Sequence, residues 1–269
     1  MGLLRLFRDA FATFLHELGG LSLFLIQVLR VGLGTHGNWK AIAAQTQSIS
    51  YRTISTVMFS GVFVGAILVI QFHLILQQYN AEIFLGGLNT SAVIREVGPL
   101  IISFILAGKI GAFTTAELGT MRVTEQIDAI QCLGTQPIQY LVIPRFLGIV
   151  ISSVVLLLIG LLVSILGSIF VSSVLYGINP LQFVSSIPRF TGPSTLAIGI
   201  LKALVFGVIV ASVACFKGYT ATGGARGVGR AVTTAAVYTN LYVVVADFGV
   251  STLFDFTLSL FGHAFGSDS

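Results

Sequence analysis

Four charged side chains stand close together in an otherwise apolar chain: Glu117, Arg122, Glu125 and Asp128. On a helical wheel with about 100° per residue, the three acids share one side. The opposite side carries the apolar residues Val123, Ile127, Ile130 and Leu133. The pattern predicts a short amphipathic helix over residues 117–133, with an acidic face suited to docking on a soluble partner. A helix resting on lipid headgroups is the alternative, but an anionic leaflet would repel its acids.

Five further charges fall in or beside stretches apolar enough to cross a membrane: Arg95, Glu96, Lys109, Lys202 and Asp247. An ionisable group at that depth is costly, which makes each one a functional candidate. The 12 residues between Glu96 and Lys109 form about 18 Å of helix, less than the roughly 30 Å of hydrocarbon. Either Lys109 lies within the cytoplasmic leaflet, or Arg95 and Glu96 lie within the outer one.

Lys202 and Asp247 have matching depths in the fourth and fifth predicted membrane helices. Lys202 is about 22 Å of helix from Lys217, and Asp247 is about 25 Å of helix from Arg230. We therefore predict that Lys202 and Asp247 pair, near the level of Arg95 and Glu96. A purely structural ion pair, or a lysine that extends toward the headgroups, is the alternative to a transport role.

The elements that must position these charges are membrane helices. The chain is 55% hydrophobic and only 9% charged, against roughly 25% charged in soluble domains, which indicates an all-α integral membrane protein. No linker divides it, so we predict one membrane domain over residues 1–269. A helix needs about 20 apolar residues to cross a bilayer. Five stretches qualify, at residues 53–76, 91–116, 146–172, 194–216 and 231–254.

The N-terminal segment, residues 1–51, has a different pattern. Its uncharged run from Leu18 to Leu29 is too short to span, and a basic, apolar stretch precedes that run. We predict an interfacial elbow helix that lies along the membrane. A sixth span over residues 18–31 is the alternative, at the cost of burying Arg30 or Glu17.

The Lys and Arg residues predict the orientation of the chain. With five spans, 11 of the 14 Lys and Arg residues fall on the side of the N-terminus and of the acidic segment. Because cytoplasmic loops carry the excess of Lys and Arg, we predict a cytoplasmic N-terminus and an outer C-terminus. The acidic segment then faces the cytoplasm.

Motifs for catalysis or for an internal energy source are missing from the sequence. The Gly108–Lys109 step is followed by Ile110, so no phosphate-binding loop is formed, and neither GxSxG nor HExxH occurs. The histidines and the two cysteines are too scattered for a metal site, and the single basic residues do not form a nucleic-acid-binding patch. We predict a non-catalytic transport subunit without a cofactor, driven by a separate ATPase that binds ATP and Mg²⁺. An ion-coupled secondary transporter that uses the intramembrane charges is the alternative.

Several motifs together resemble one family of ABC-transporter permeases, the MlaE family. They are SGVFVG, REVGPL, AELGTMRVTEQIDAI, PIQYLVIPRFLG and KGYTATGGARGVGRA, which cover roughly residues 60–247. The family moves phospholipids between the two membranes of Gram-negative bacteria, so the resemblance implies a multi-pass protein of the inner membrane.

The resemblance also implies partners and site residues. The partners are a second copy of the chain enclosing a lipid cavity, a cytoplasmic ATPase with a STAS-domain protein on it, and an outer MCE-domain hexamer. The docking element is matched by Glu117, Arg122, Glu125 and Gln126, with Asp128 beside them on the acidic face. The cavity is matched by Arg95, Glu96, Gln71 and Tyr79. We expect Arg95 to bind the lipid phosphate and Glu96 to hold Arg95 in place.

Overall fold

Long apolar runs of the sequence form long helices in the structure, a computed structural model that describes residues 17–32 and 39–265, with side chains up to residue 257. The helices are α1 (17–32), α2 (Trp39–Gln77), α3 (Leu85–Ala92), α4 (Gly98–Leu106), α5 (Ala112–Val123), α6 (Gln126–Cys132), α7 (Ile143–Tyr176), α8 (Pro180–Phe190), α9 (Pro193–Tyr219) and α10 (Gly224–Phe265). No strand occurs among these described residues.

Short turns of other helix types join some of these elements. A 3₁₀ turn, Glu82–Phe84, precedes α3, and the π-helical turns Val93–Val97 and Ala107–Gly111 link α3, α4 and α5 into one continuous helix. A third π-helical turn, Ile138–Val142, leads into α7.

Five helical stretches are long and apolar enough to cross a membrane, which confirms the predicted number of spans. They are Trp39–Gln77, Glu82–Val123, Ile138–Tyr176, Pro193–Tyr219 and Gly224–Thr257, called spans one to five below. Each predicted span lies inside one of them, but the helices extend further, since a helix does not have to end where the apolar run ends. Span one begins at Trp39, so residues 39–51 belong to this helix and not to the predicted interfacial segment.

The rest of the predicted interfacial segment is described only between residues 17 and 32, where α1 packs on α9. Phe24 and Val28 of α1 are buried, and the Phe24 ring lies 5.7 Å from that of Phe216. Leu23 on the opposite side of α1 is exposed. Residues 1–16 and 33–38 lie outside the described part of the chain, and the position of α1 relative to a bilayer stays a prediction.

α7 is the central helix of the bundle. α2 and α9 both pack along it, and α9 also contacts α5 and α10. The side chains of Ile149, Leu156 and Leu157 in α7 are fully buried. Span five is the least covered: 11% of the residues in its most apolar window are buried, against 56% in span four. α10 therefore lies at the edge of the bundle with one long face uncovered.

A glycine allows α2 and α7 to approach closely. A Cβ atom at Gly65 would overlap the carbonyl oxygen of Ser164 and the hydroxyl of Ser168. Small residues at such crossings let membrane helices pack backbone to backbone. Asn89 of α3 donates a buried hydrogen bond of 2.8 Å to Ser168 Oγ, which adds the start of span two to the same interface.

The helix α8 was not predicted from the sequence. It begins at an Asn-Pro pair, where the side chain of Asn179 accepts a hydrogen bond from the amide of Leu181, a common way to start a helix. Phe183 of α8 is buried against α3, where a Cβ atom at Gly86 would overlap the Phe183 carbonyl oxygen. No charge lies between Arg145 and Arg189, so the sequence did not mark where span three ends and this short helix begins.

Candidate functional sites

A network of charged and polar side chains joins spans two, four and five. Lys202 of α9 is 0% exposed, and its Nζ donates a hydrogen bond of 2.6 Å to Glu96 Oε2. The same Nζ forms an ion pair of 2.8 Å with Asp247 Oδ1. Ser251, one turn beyond Asp247 on α10, donates to Glu96 Oε1 at 3.3 Å. We call Glu96, Lys202, Asp247 and Ser251 the charge network.

The charge network includes the ion pair that we predicted from depth, together with a carboxylate that we did not assign to it. A buried ammonium group carries a desolvation cost of several kcal/mol, and two carboxylates in direct contact offset more of that cost than one. Lys202 therefore holds three spans together. Its role in transport stays a proposal.

Arg95 has a different partner from the one that we predicted. Its Nη2 lies 2.6 Å from Asp255 Oδ1 of α10, whereas Glu96 forms its ion pair with Lys202. The expectation that Glu96 holds Arg95 in place is therefore wrong. Consecutive residues of a helix point about 100° apart, so the two side chains reach different neighbours.

Asp255 was missed in the sequence, although a signal was available. Asp247, Ser251 and Asp255 are spaced by four residues, which places all three on one side of a helix. A polar stripe of this length on a membrane helix indicates that the stripe faces other polar groups. The structure brings it against Glu96, Lys202 and Arg95.

The two predicted positions of span one are exposed. Gln71 lies in α2, and Tyr79 lies just beyond its end. Among the residues that the structure describes, no hydrogen bond joins either of them to Arg95 or Glu96. A role for Gln71 and Tyr79 in binding stays a prediction.

The predicted helix over residues 117–133 consists of two parts. Span two continues as α5 to Val123, and the separate helix α6 begins at Gln126. Between them Glu125 has a φ of 60°, a left-handed conformation that is uncommon for a residue with a side chain. The short helix between spans two and three is thus present as α6, and it is shorter than predicted.

Glu117 faces another helix and does not belong to the exposed acidic surface. Its carboxylate accepts a hydrogen bond of 3.1 Å from Arg145 Nε of α7 through Oε2, and its Oε1 forms an ion pair of 3.1 Å with Arg145 Nη2. Arg145 is 8% exposed and also donates to the carbonyl of Leu141 at 2.7 Å. This two-pronged pair connects the ends of spans two and three. In the sequence alone, Arg145 is only one of the basic residues on the predicted cytoplasmic side.

The remaining residues of the predicted docking element surround the left-handed turn. Arg122 of α5 and Asp128 of α6 are joined by an ion pair of 2.5 Å across the turn. Ile127 is buried beneath it, whereas Glu125 and Gln126 are exposed. Within the described part of the chain, Glu125 forms no ion pair. The turn thus presents an unpaired carboxylate on a compact, internally braced support.

Comparisons with known proteins agree with this architecture. The family model for the permease MlaE matches residues 42–253. A probable ABC transporter permease protein of Synechocystis sp. is 37% identical over 78% of this chain and 80% of its own length. Another from Rickettsia prowazekii is 34% identical over 79% of this chain and 82% of its own length. The chloroplastic protein TRIGALACTOSYLDIACYLGLYCEROL 1 of Arabidopsis thaliana is 33% identical over 87% of this chain and 68% of its own length.

These matches cover all five spans, the charge network and the segment around α6. The relatives named as ABC transporter permeases make the chain a multi-pass transport subunit that works with a partner ATPase. They also favour an ATPase over ion coupling as the energy source. The chain belongs to the MlaE permease family.

Proposed function

We propose that the chain moves phospholipids between the inner and outer membranes, as the permease of an ABC transporter. The observation that carries this proposal is Arg95, a partly exposed cation held beside the buried charge network by a single exposed carboxylate, Asp255. One relative is named after a galactosyl diacylglycerol, which is a glycerolipid, and this name supports a lipid as the transported molecule.

The residues around Arg95 suit a lipid phosphate. A guanidinium group binds phosphate oxygens through two parallel hydrogen bonds. An arriving phosphate competes with Asp255 for Arg95, because both are anions. The exposed aromatic and aliphatic side chains of α10, such as Phe248 and Leu253, offer an apolar surface for the acyl chains. Lys202 meanwhile keeps spans two, four and five together.

The uncovered face of α10 suits a second copy of the chain, so that two copies enclose a cavity for the lipid. The N-terminus lies in the cytoplasm and the C-terminus outside the inner membrane. A cytoplasmic ATPase with a STAS-domain protein engages Glu125 and Gln126, and an MCE-domain hexamer receives or delivers lipid on the outer side. ATP and Mg²⁺ bind to the ATPase.

The coupling between ATPase and cavity follows from the contacts around α6. Movement of the ATPase pushes on the turn at Glu125. Because Glu117 and Arg145 pair with each other, the push reaches spans two and three together. Span two carries Arg95 and Glu96 about 40 Å of helix away from Val123, so that the movement changes the cavity around the lipid phosphate.

Replacement of Arg95 tests the proposed lipid site. We expect Arg95→Ala to lower the amount of phospholipid retained by the purified complex about tenfold, as for one charge-assisted hydrogen bond of roughly 1.5–3 kcal/mol. Asp255→Asn should raise retention, because it removes the competing anion. Quantitative lipid mass spectrometry of the purified complexes measures both changes.

Arg189→Ala is the matched control, since Arg189 is an exposed arginine of α8 that forms no ion pair within the described residues. The control should retain as much lipid as the unchanged protein. The partner ATPase should co-purify with all of these variants. Equal retention by Arg95→Ala and Arg189→Ala would remove Arg95 from the site.

A further inference from the structure

Two cations lie together on the exposed side of the interface between α2 and span two. Lys109 Nζ donates a hydrogen bond of 3.1 Å to Thr56 Oγ1. One turn away, the guanidinium carbon of Arg52 lies 4.6 Å from the centre of the Phe113 ring. The two helices run antiparallel here, so these contacts place Arg52 and Lys109 within about one turn, roughly 6 Å, of each other in height.

Neither Arg52 nor Lys109 has an acidic partner within the described residues. Five other described cations are paired with carboxylates, in Arg95–Asp255, Arg122–Asp128, Arg145–Glu117, Lys202–Glu96 and Lys217–Glu17, whereas Arg189 is unpaired among the described residues, like Arg52 and Lys109, but stands alone on α8. The ring of Phe113 and the hydroxyl of Thr56 orient Arg52 and Lys109 without neutralising them. Two adjacent positive charges are thus free to bind an anion.

The depth of the two cations matches that of lipid phosphates. Thr56 and Gln77, the last residue of α2, are 21 residues apart, which corresponds to about 31 Å of helix. This length equals the hydrocarbon thickness of roughly 30 Å. If the end of α2 lies at one headgroup layer, Lys109 and Arg52 lie at the other. With the predicted orientation, that layer is the cytoplasmic leaflet.

An apolar surface extends from this point toward Arg95. Phe59 and Phe63 of α2 are 71% and 63% exposed, and their spacing from Arg52 and Thr56 places them on the same side of that helix. Arg95 lies 14 residues from Lys109 along span two, or about 21 Å. An acyl chain attached to a phosphate at Arg52 and Lys109 therefore has apolar side chains to lie on.

We propose that Arg52 and Lys109 form a second phosphate-binding site, which takes the phosphate of a phospholipid in the cytoplasmic leaflet. The part of this site in transport rests on the proposed function, because Arg95 then binds the phosphate about 21 Å further along the same span. The ligand is a lipid and not free phosphate, since the exposed phenylalanine side chains continue from the cations into the hydrocarbon.

Photo-crosslinking of ³²P-labelled phospholipids in cells tests the site. Benzoylphenylalanine replaces Phe59 as the inner probe, or Phe248 as the outer probe, in the full complex. We expect Arg52→Gln with Lys109→Gln to lower lipid capture by the inner probe about fivefold or more and to leave capture by the outer probe unchanged. Lys109→Arg should retain capture by the inner probe.

Lys40→Gln is the matched control, because Lys40 is an exposed lysine on the same end of α2. The single change Arg52→Gln is the milder variant if the double variant fails to accumulate. Unchanged capture by the inner probe in these variants overturns the proposal. A loss at both probes also overturns it, since a separate site affects only one.

Three further outcomes show which part of the proposal is wrong. If the double variant becomes monomeric on size-exclusion chromatography, a carboxylate of a second copy is the occupant, and the lipid site is wrong. If neither probe captures lipid in the otherwise unchanged protein, the proposed lipid function itself fails. Capture by the outer probe alone overturns only the inner site.

Discussion

At the scale of single residues, the charges of this protein are organised around Lys202. A lysine that is fully enclosed by membrane helices is stable only with anionic partners. Glu96 and Asp247 supply two carboxylates from two other spans. Lys202 Nζ contacts both carboxylates and reduces the repulsion between them, so both depend on its presence.

Removal of Lys202 should destabilise the protein strongly. Lys202→Met leaves two carboxylates close together without their cation, which we expect to cost about 3 kcal/mol, the low end for a buried pair because Glu96 is partly exposed. This corresponds to a decrease in Tm of about 6–12 °C, measured by thermal unfolding of the purified protein in detergent.

Neutral partners provide the control for Lys202. Lys202→Met combined with Glu96→Gln and Asp247→Asn should recover much of the lost stability, because no unpaired charge remains. A Lys202→Met variant as stable as the unchanged protein would show that the charge network does not hold the spans together.

At the scale of elements, the important feature is the break between α5 and α6. The left-handed residue Glu125 turns the chain, and the ion pair between Arg122 and Asp128 closes the turn. Glu117, which belongs to the same charged stretch in the sequence, faces Arg145 instead. The charged segment thus divides into a carboxylate that packs against α7 and an exposed carboxylate that is available for the proposed docking of the ATPase.

Charge reversal at the turn should abolish docking without unfolding the protein. Glu125→Lys retains the length of an exposed side chain but reverses its charge, so we expect the ATPase to be lost on co-purification while Tm changes by less than about 2 °C, as for a surface substitution. Glu117→Gln should do the opposite, lowering Tm because Arg145 loses its charged partner. Retention of the ATPase by Glu125→Lys would disprove docking at this turn.

At the scale of the whole molecule, span two connects the charge network to the turn of α6: Glu96 and Val123 are 27 residues apart, or about 40 Å of helix. The proposed lipid site and the proposed docking turn are therefore well separated and joined by one helix. The uncovered face of α10, in span five, leaves room for a second copy of the chain.

The two cysteines can test this arrangement. Cys132 at the end of α6 is exposed, and Cys215 in α9 is buried. A membrane-impermeant maleimide should label Cys132 in inverted membrane vesicles and not in intact spheroplasts. Cys215 should stay unlabelled in both, which makes Cys132→Ala the control for specificity. Labelling of Cys132 from the outside would reverse the orientation and exclude docking of a cytoplasmic ATPase.

The sequence by itself determined the number of spans and the matching heights of Lys202 and Asp247 along their helices. Both follow from distances along the chain, since a helix rises a constant 1.5 Å per residue, about 20 residues cross the hydrocarbon, and charges mark the ends. The match between Lys202 and Asp247 could be inferred for this reason. The family resemblance likewise depended on local motifs.

Only the tertiary structure decided which charges meet. Arg95 pairs with Asp255, Glu96 pairs with Lys202, and Glu117 pairs with Arg145. These choices depend on how each helix is rotated about its axis and which helices are its neighbours. Both are determined by side-chain packing between distant segments, such as Gly65 against Ser164. Depth can be read along one helix, whereas a contact between helices requires the position of both.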